Sequence, residues 1–595
     1  MPSNPSDKAP NPSTSDLPSS VCILGLGLTG LAVACYFLDQ AKPPRLCIYI
    51  DKMSKKNQAA IVQLAEQYFN QPALSIENLE NQNYLDFHST ECQLSIRVAA
   101  QNLEADYPLT VVSPGIRPSN PLFIDAQARS TELIGEPELA YRLSSQHWLA
   151  VTGTNGKTTT TCLLNHLLLQ GGLHTTMAGN IGQTLIQTVT QREDDQYLVV
   201  ELSSYQLATA TSIAPEAAIL LNITPDHLEW HGGFEEYCQI KQRVFKRMPL
   251  DAPAVIDAQS AIGRKIISEC LNTGRRVIGV GIDPEQADQV FGYGRLSETA
   301  WQDATGQLCL RLNGCDHVFI AAEQMAIKGR HNSLNALAAA AVASFIGVAD
   351  TDIARGLASF QPLEHRIEAA GEINGVSFYN DSKATNPEAT LMALSAFAPH
   401  TINLLLGGED KNTDLSELVS TALACCRLVI CYGAAARRFY DAFQSSLNAA
   451  PNATPSAASA APNAASSATP SAAPSTTANP VPASGQPTCQ VLIAADMQEA
   501  LQTAVLLAGP GQVILLSPAC ASFDQFDSFE QRGQVFKQLV TQLAEQSQSV
   551  GEKAAEQQPD LVGQKAEQLE LAGQKAAPPE LVIENSQLLT TGEQP

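Results

Sequence analysis

The sequence has no apolar run long enough to cross a bilayer, and no basic segment followed by an apolar stretch near its start. Basic residues are scarce, with 36 lysines and arginines against 60 aspartates and glutamates. This acidic balance disfavours nucleic acid or an anionic membrane surface as the main partner. The fourteen cysteines form no CxxC pair, which is typical of free thiols in a reducing compartment rather than of disulfides or a zinc site. We therefore expect a cytoplasmic protein without nucleic-acid or membrane partners.

Buried-strand and helix patterns alternate along most of the 595 residues, which predicts an α/β protein with several domains. The run VCILGLG is followed by an apolar helix and by the strand LCIYID, the opening of a doubly wound sheet. A second unit opens with WLAV, and a third carries the strands TINLLLGG and RLVICYG. The predicted segments are a disordered leader at 1–18, a Rossmann-like N-terminal domain at 19–147, a central P-loop domain with a mostly parallel sheet at 148–362, a Rossmann-like C-terminal domain at 363–546 with a low-complexity insertion at 446–488, and a disordered acidic tail at 547–595.

The strongest chemical signal is the glycine-rich segment GTNGKTT at 153–159, which lies between a predicted strand and a predicted helix. Its glycines let the backbone approach phosphate oxygens, Lys157 can reach the β- and γ-phosphates, and the Thr158 hydroxyl is placed to bind Mg²⁺. The full Walker pattern would require glycine where this chain has Val151. A turn with a chance lysine is the alternative, but the strand–loop–helix context favours nucleotide binding.

A second glycine-rich turn, GLGLTG at 25–30, matches GxGxxG after a strand, and Asp51 follows about 20 residues later. Taken alone, this pattern predicts NAD or FAD binding, and a purely structural turn is the alternative. Because the segment at 153–159 is the predicted nucleotide-binding loop, we interpret this turn as a site for another diphosphate-bearing ligand, such as a UDP-sugar. An oxidoreductase is the rival class, which NAD(P)H binding would support, but it leaves the phosphate loop without a role.

Polar side chains collect where strands of the second and third units are predicted to end. Glu201 ends one strand and could hold Mg²⁺, while His227 follows another. Imidazole is an uncommon Mg²⁺ ligand, so a hydrogen-bonding role is an equal alternative for His227. Lys241 would by default be a solvated surface lysine. The other candidates are Asn332 and Asn335, for which helix capping is the alternative, and His365, Arg366, Asp381 and Lys383, whose cations could neutralise a transferring phosphate.

Together these motifs resemble the Mur ligase family, in order and spacing, from about residue 20 to residue 544. TGTNGKTT is shared across that family and with folylpolyglutamate synthetases. DSKATN at 381–386 and SPACASFDQFDSFEQRG at 517–533 resemble the members that add D-glutamate, and they argue against a folylpolyglutamate synthetase. The resemblance implies a monomeric, cytoplasmic enzyme of peptidoglycan and cell-wall biogenesis. It would add D-glutamate to UDP-N-acetylmuramoyl-L-alanine, using ATP and two Mg²⁺ ions through an acyl phosphate.

The resemblance also implies roles for individual residues. The ATP-binding set would be Gly153, Thr154, Asn155, Gly156, Lys157, Thr158, Thr159, Asn332, Asn335, Arg366 and Asp381. The Mg²⁺ set would be Thr158, Glu201, His227 and a carbamylated Lys241, and the catalytic set would be Lys157, Lys241, His227, Asn180 and Lys383. The substrate-binding set would be Leu28, Thr29, Asp51 and Gly115 around the UDP, Asn180 near the reacting end, and Thr385, Lys411, Ser522, Phe523 and Phe529 around D-glutamate.

One departure from the family pattern concerns the uracil end. The D-glutamate-adding member carries Thr-Arg after the strand-end aspartate, whereas this chain has Lys52-Met53, so the resemblance supports the uracil contacts less firmly than the ATP contacts. A further rival class is a non-catalytic P-loop protein, which the absence of ATP turnover with every plausible acceptor would favour.

Overall fold

In a computed structural model, the protein contains three mostly parallel sheets with flanking helices. The structure describes residues 17–70, 82–327, 329–410, 413–449 and 489–556. The predicted α/β class with three units is therefore confirmed. Nearly all of the leader and the insertion, most of the tail, and Lys411 lie outside the described residues. The domain boundaries given above stay predictions.

The first unit is a six-stranded sheet in the order β3-β4-β2-β1-β5-β6, parallel except for the β3–β4 pair. Its elements are β1 (Ser20–Leu24), α1 (Leu28–Leu38), β2 (Arg45–Ile50), α2 (Lys55–Phe69), β3 (Tyr84–His88), β4 (Gln93–Val98), β5 (Tyr107–Val112), α3 (Pro121–Arg129), β6 (Ser130–Gly135) and α4 (Glu136–Leu143). Because β1 lies between β2 and β5, the loops that follow these three strands meet at one edge of the sheet.

The second unit is a nine-stranded sheet in the order β15-β14-β13-β12-β11-β10-β7-β9-β8, parallel from β8 to β13. Its strands are β7 (Trp148–Thr152), β8 (Thr175–Gly179), β9 (Tyr197–Glu201), β10 (Ala217–Leu220), β11 (Ala254–Asp257), β12 (Val277–Val280), β13 (Glu298–Gln302), β14 (Gln307–Leu312) and β15 (Cys315–Ala321). Its α-helices are α5 (Lys157–Gln170), α6 (Leu185–Gln191), α7 (Ser204–Ala208), α8 (Leu228–His231), α9 (Phe234–Gln242), α10 (Ala261–Asn272), α11 (Pro284–Phe291), α12 (Arg330–Ile346) and α13 (Asp350–Ser359). In continuous apolar strands such as WLAV and YLVV every residue except Tyr197 is buried, as strands covered by helices on both faces require.

The third unit is a six-stranded sheet in the order β16-β17-β21-β18-β19-β20, in which the β16–β17 hairpin is antiparallel and the other pairs are parallel. Its elements are β16 (Glu368–Ile373), β17 (Val376–Asn380), α14 (Pro387–Leu394), β18 (Ile402–Gly407), α15 (Ser416–Cys425), β19 (Cys426–Tyr432), α16 (Ala436–Ala449), β20 (Gln490–Ile493), α17 (Met497–Leu507), β21 (Val513–Leu516) and α18 (Phe529–Glu556). Helix α18 therefore continues ten residues past position 546, the predicted end of the C-terminal domain.

The cysteine thiols are all free, as the sequence predicted, and nine of the fourteen are buried. Burial raises the pKa of most of them, to about 11 for Cys162 and to about 12 for Cys431, Cys489 and Cys520. Cys315, on the outermost strand of the second sheet, is the exposed one. In the described part of the chain, no helix combines the length and apolarity that crossing a bilayer requires.

Candidate active site

A cavity of about 540 Å³ lies where loops of the second unit face the start of the third unit. Strand β7 is hydrogen-bonded to both β9 and β10, so the phosphate loop, the Glu201 strand end and the 222–227 segment emerge side by side at one sheet edge. Ligands of open α/β sheets bind at such an edge, because the carboxyl ends of parallel strands converge there. Residues 154–159 line one wall of the cavity, and residues 381 and 383–386 line the opposite wall.

The phosphate loop is shaped by its two glycines. Gly153 and Gly156 have positive φ values of 150° and 84°, which suit glycine far better than other residues. A side chain at Gly156 would also lie 2.6 Å from the Oδ1 atom of Asn335, so neither space nor backbone allows one. The Lys157 ammonium curls back to donate to the carbonyl oxygens of Gly153 at 3.1 Å and Thr154 at 2.7 Å. Since α5 begins at Lys157, the N-terminal end of the helix and the lysine both lie at the loop, which suits an anion.

Glu201 supplies a carboxylate beside this loop. Its side chain is 1% exposed, and Oε1 accepts a hydrogen bond of 2.8 Å from the amide of Asn180. The other oxygen, Oε2, is buried without a hydrogen-bond partner. A buried carboxylate oxygen without a partner is costly, and a hard divalent cation would satisfy it. Glu201 and Thr158 both line the cavity, so this donor set fits Mg²⁺.

Lys241 is buried rather than solvated, in contrast to the default expectation for a lysine. It is 1% exposed, donates to the carbonyl oxygen of Gly153 at 2.7 Å, and lies 4.6 Å from the ring centre of Tyr237. Burial, and then the charge of Lys157, hold its pKa well below the usual value for a lysine, so the neutral amine is favoured. His227 lies on the rim of the site, with Nε2 3.3 Å from Asp226 Oδ2 and its ring against Tyr205.

Helix α12 presents its first turn to the cavity. Asn332 and Asn335 both line it, and the Asn335 amide donates to Asn332 Oδ1 at 3.2 Å. His331 also lines the cavity, and burial lowers its pKa to about 4, so the ring is neutral at pH 7. Two carboxamides and a neutral ring can make neutral hydrogen bonds, which suits a base or a sugar better than a phosphate.

The third unit brings charged groups to the opposite wall. Burial raises the pKa of Asp381 to about 7, although Ser517 Oγ donates to its Oδ2 at 2.7 Å and Arg366 carries an opposing charge. Burial and the nearby Arg366 lower the pKa of Lys383 to about 8, and its Nζ atom lies 3.6 Å from the ring centre of Phe529. Ionisable groups whose pKa values are shifted in opposite directions within one cavity are typical of a functional site.

Comparison with known proteins finds relatives over most of the chain. The Mur ligase middle domain family matches residues 151–343, and the family described as Mur ligase, glutamate ligase domain, matches residues 365–520. A UDP-N-acetylmuramoylalanine--D-glutamate ligase of Thermoanaerobacter sp. (strain X514) is 32% identical over 527 residues, 88% of this chain and 98% of the relative. The chain belongs to the Mur ligase family. An Acidobacterium capsulatum relative with the same name is 36% identical over 73% of this chain and 82% of its own length.

Solved Mur ligases resemble the chain more distantly. MurF from Acinetobacter baumannii is 14% identical, with a TM-score of 0.49 over 90% of this chain and 92% of its own length. MurC from Thermotoga maritima is 15% identical, with a TM-score of 0.46 over 84% of this chain and 95% of its own length. As a Mur ligase, the chain is an ATP-dependent, ADP-forming amide ligase.

The Mur ligase cavity brings together most of the residues that the sequence singled out. Its lining includes Thr154, Asn155, Gly156, Lys157, Thr158, Thr159, Asn180, Glu201, His227, Asn332, Asn335, Arg366, Asp381, Lys383 and Thr385. Gly153, the first residue of the loop, and Lys241 do not line the cavity, and they are joined by the hydrogen bond described above. Ser522, Phe523 and Phe529 do not line the cavity; Ser522 is buried, Phe523 is 68% exposed, and Phe529 contacts the site through Lys383. Lys411 lies outside the described residues.

The four residues predicted to surround the UDP lie at the edge of the first sheet, away from this cavity. Leu28 and Thr29 begin α1, Asp51 follows β2, and Gly115 follows β5, whose loop also places the Ser113 hydroxyl 3.3 Å from the Gly25 carbonyl oxygen. None of the four lines the 540 Å³ cavity. They form a separate group on three adjacent strands, so their role in binding UDP stays a prediction.

Sequence reasoning missed two residues of this Mur ligase, although they lie in the segments DSKATN and SPACASFDQFDSFEQRG. Asn386 reaches across the cleft and donates to Asn155 Oδ1 at 3.3 Å and to Asp226 Oδ2 at 3.5 Å. Arg532 is fully buried, and its guanidinium donates to Ser382 Oγ at 2.9 Å and to the carbonyl oxygens of Ser382, Ala521 and Cys520. It therefore holds the DSKATN and SPACAS segments together. The only sequence signal that could have found these two residues was the presence of an asparagine and an arginine within the two segments.

Proposed function

We propose that this Mur ligase adds D-glutamate to UDP-N-acetylmuramoyl-L-alanine in peptidoglycan precursor synthesis. The observation that carries the proposal is the similarity, over nearly their whole length, to relatives named for that reaction. The cavity is consistent with this reaction, because the phosphate loop of the second unit faces the third unit, which matches the glutamate ligase domain of the Mur ligases. We expect a monomeric, cytoplasmic enzyme, as the sequence indicated.

ATP would bind with its phosphates on the loop at 153–159 and its base and ribose beside Asn332 and Asn335. Lys157 already points its ammonium into the loop, and Arg366 and Lys383 approach from the other wall. Mg²⁺ would neutralise phosphate charge, held by Thr158 and the partnerless oxygen of Glu201. Positioning and charge neutralisation are most of what phosphoryl transfer requires of a protein.

Lys241 would carry a carbamate in the active enzyme. A neutral amine attacks CO₂, and burial lowers the pKa of Lys241, which favours the neutral form of its amine. Carbamylation exchanges a cation for an oxygen anion, which is the ligand type that a hard cation prefers. Lys241 and His227 would then hold the second Mg²⁺. Bicarbonate dependence of the activity, with a mass increase of one CO₂ on the peptide that contains Lys241, would support this assignment.

The reaction would proceed in two steps. A carboxylate oxygen of the L-alanyl group attacks the γ-phosphorus of ATP, the bond to the β-phosphate oxygen breaks, and ADP leaves. The nitrogen of D-glutamate then bonds to the acyl carbon of the resulting acyl phosphate, losing a proton, and inorganic phosphate departs. Asn180 lies beside Glu201, where its amide can orient the reacting carboxyl group.

The test is to supply the protein with ATP, Mg²⁺ and UDP-N-acetylmuramoyl-L-alanine, and to measure phosphate release with D-glutamate, L-glutamate, L-lysine or meso-diaminopimelate. We expect release with D-glutamate alone and a product heavier by one glutamyl residue. Release with a different amino acid would keep the ligase class and overturn the D-glutamate assignment. ATP binding without release in any mixture would overturn the proposed substrate pair.

A further inference from the structure

The backbone that presents Arg366 to the cavity is unusual. His365 and Ile367, on either side of Arg366, both have positive φ values, 63° and 44°. A β-branched residue seldom adopts this conformation, because its side chain clashes with its own backbone. Such a turn persists only where surrounding contacts enforce it. The contacts around residues 365–367 therefore decide where the Arg366 guanidinium points.

Contacts within the third unit hold both ends of this turn. The backbone N–H of His365 donates to Glu368 Oε2 at 2.9 Å, and the Asn380 amide lies 2.9 Å from His365 Nδ1 and 3.0 Å from the same Glu368 oxygen. At the other end, the N–H of Ile367 donates to Asp381 Oδ1 at 3.3 Å. Glu368 is thus the carboxylate that fixes the start of the turn, while Asp381 fixes its end.

Helix α18 adds a second layer to this arrangement. Gly533 packs directly against His365, and a methyl group on Gly533 would overlap the His365 ring at Nδ1. One turn further along, Lys537 Nζ lies 3.0 Å from Glu368 Oε1 and 2.5 Å from Glu364 Oε1. Lys537 and Glu368 are each 22% exposed, so the pair is partly shielded from solvent. One face of α18 therefore touches both groups that shape the turn, the His365 ring and the Glu368 carboxylate.

We propose that Gly533 and Lys537 are positioning residues for Arg366, acting through His365 and Glu368. Lys537 orients Glu368, which fixes the His365 backbone, and Gly533 leaves the space that the His365 ring occupies. This inference rests on the proposed ATP site, since Arg366 is placed there against the nucleotide phosphates. Neither Gly533 nor Lys537 lines the cavity, so neither is called catalytic.

The first test replaces the lysine. Lys537→Met should lower kcat/KM for ATP roughly tenfold, as expected for a coupled contact, and leave KM for D-glutamate unchanged. Lys537→Arg keeps the charge and should restore most of the loss. Lys265→Met, which breaks the ion pair with Glu269 on α10, is the matched control and should behave like the wild type. A normal kcat/KM for ATP in Lys537→Met, or an equal loss in the control, would overturn the role of Lys537.

A double-mutant cycle separates positioning from general loss of stability. If Lys537 acts through Glu368, adding Lys537→Met to Glu368→Gln should cause no further loss of kcat/KM. Losses that multiply in the double variant would overturn the proposed coupling. Product formation by the wild-type protein is measured in the same assay, so a failure of the proposed function itself would be seen separately.

The second test introduces the clash. Gly533→Ala should lower kcat/KM for ATP more than Lys537→Met does, because it displaces His365 directly. Combined with His365→Ala, which removes the ring, Gly533→Ala should cause a much smaller further loss, because only its 2.9 Å approach to the Asn380 amide nitrogen remains. Gly509→Ala is the matched control, since a methyl group there has no atom nearer than 3.8 Å. Equal losses from Gly533→Ala with and without the His365 ring would overturn the role of Gly533. Melting temperatures of all variants establish that they are folded.

Discussion

Two glycine-rich turns of this Mur ligase look alike in sequence and differ in structure. Both follow a buried strand and lead into an apolar helix, at 25–30 and at 153–156. At the second turn the helix begins with Lys157, and the buried Glu201 lies beside the loop and lines the cavity. At the first turn the helix begins with Leu28, which is 83% exposed, and the nearby carboxylate of Asp51 is exposed as well.

The difference shows what the backbone alone provides. Both turns can bring N–H groups close to a ligand, which suffices to bind a diphosphate. The second turn also has a lysine and a buried carboxylate with a partnerless oxygen. These two groups suit a ligand whose charge changes during the reaction. We therefore assign chemistry to the second turn and only binding to the first, and variants at the two turns should separate these effects.

Loss of Lys157 should have the largest effect. Lys157→Ala removes a preorganised cation from the phosphate loop, so kcat should fall about 10²- to 10³-fold. Initial rates of phosphate release at saturating substrates measure this directly. Leu28→Ala, at the matching helix start of the first turn, is the control and should keep kcat. A turnover of Lys157→Ala close to that of the wild type would remove the distinction between the two turns.

Glu201→Gln should come next, with about a 10²-fold lower rate at moderate Mg²⁺ concentration. The amide keeps the size of the side chain but loses the anionic oxygen, so more Mg²⁺ should be needed for half-maximal activity. A Mg²⁺ titration of the rate tests this. Asp51→Asn provides the comparison at the first turn and should leave the Mg²⁺ requirement unchanged. An unshifted Mg²⁺ titration for Glu201→Gln would refute the metal role of Glu201.

At the first turn, packing rather than catalysis should decide which glycine substitutions the fold tolerates. A methyl group on Gly30 would overlap the carbonyl oxygen of Gly25, whereas one on Gly27 would meet no atom within 4 Å. Gly30→Ala should therefore lower the free energy of unfolding by about 1–3 kcal/mol. Gly27→Ala should change it by less than about 0.5 kcal/mol. Urea unfolding curves compare the two variants, and equal midpoints would show that the turn is not tightly packed.

The smallest effect should come from the exposed residue of the first turn. If Leu28 contacts the UDP-bearing substrate as predicted, Leu28→Ala removes an apolar contact worth about 1 kcal/mol, so KM for that substrate should rise about fivefold. KM for ATP should not change. An increase in both KM values would mean that the first turn is not a separate substrate site.

Much of this arrangement follows from the sequence. The strands WLAV, YLVV and AAIL were predictable because a run that is apolar on both faces fits a sheet covered by helices. Once these strands are parallel neighbours, Lys157, Glu201 and His227 must meet at one edge. The phosphate loop was predictable for the same reason, since its motif needs only a strand before it and a helix after it.

Residues that act through contacts between distant segments could not be predicted in the same way. Lys241 looked like a surface lysine, because nothing in its own helix shows that its amine is buried against the carbonyl oxygen of Gly153. Asn386 and Arg532 depend on contacts between segments far apart in the chain, which periodicity does not encode. The continuation of α18 to Glu556 was missed because its polar composition masks the helical pattern.

The uneven burial of the thiols has a practical consequence. Maleimides react with thiolates, and most of the buried cysteines have a raised pKa that keeps them protonated, whereas Cys315 is open to solvent on an edge strand. A fluorophore added briefly at neutral pH should therefore attach first to Cys315, without removal of the other thirteen. Paired with a dye on one introduced cysteine in the third unit, it would report the distance between the second and third units during turnover.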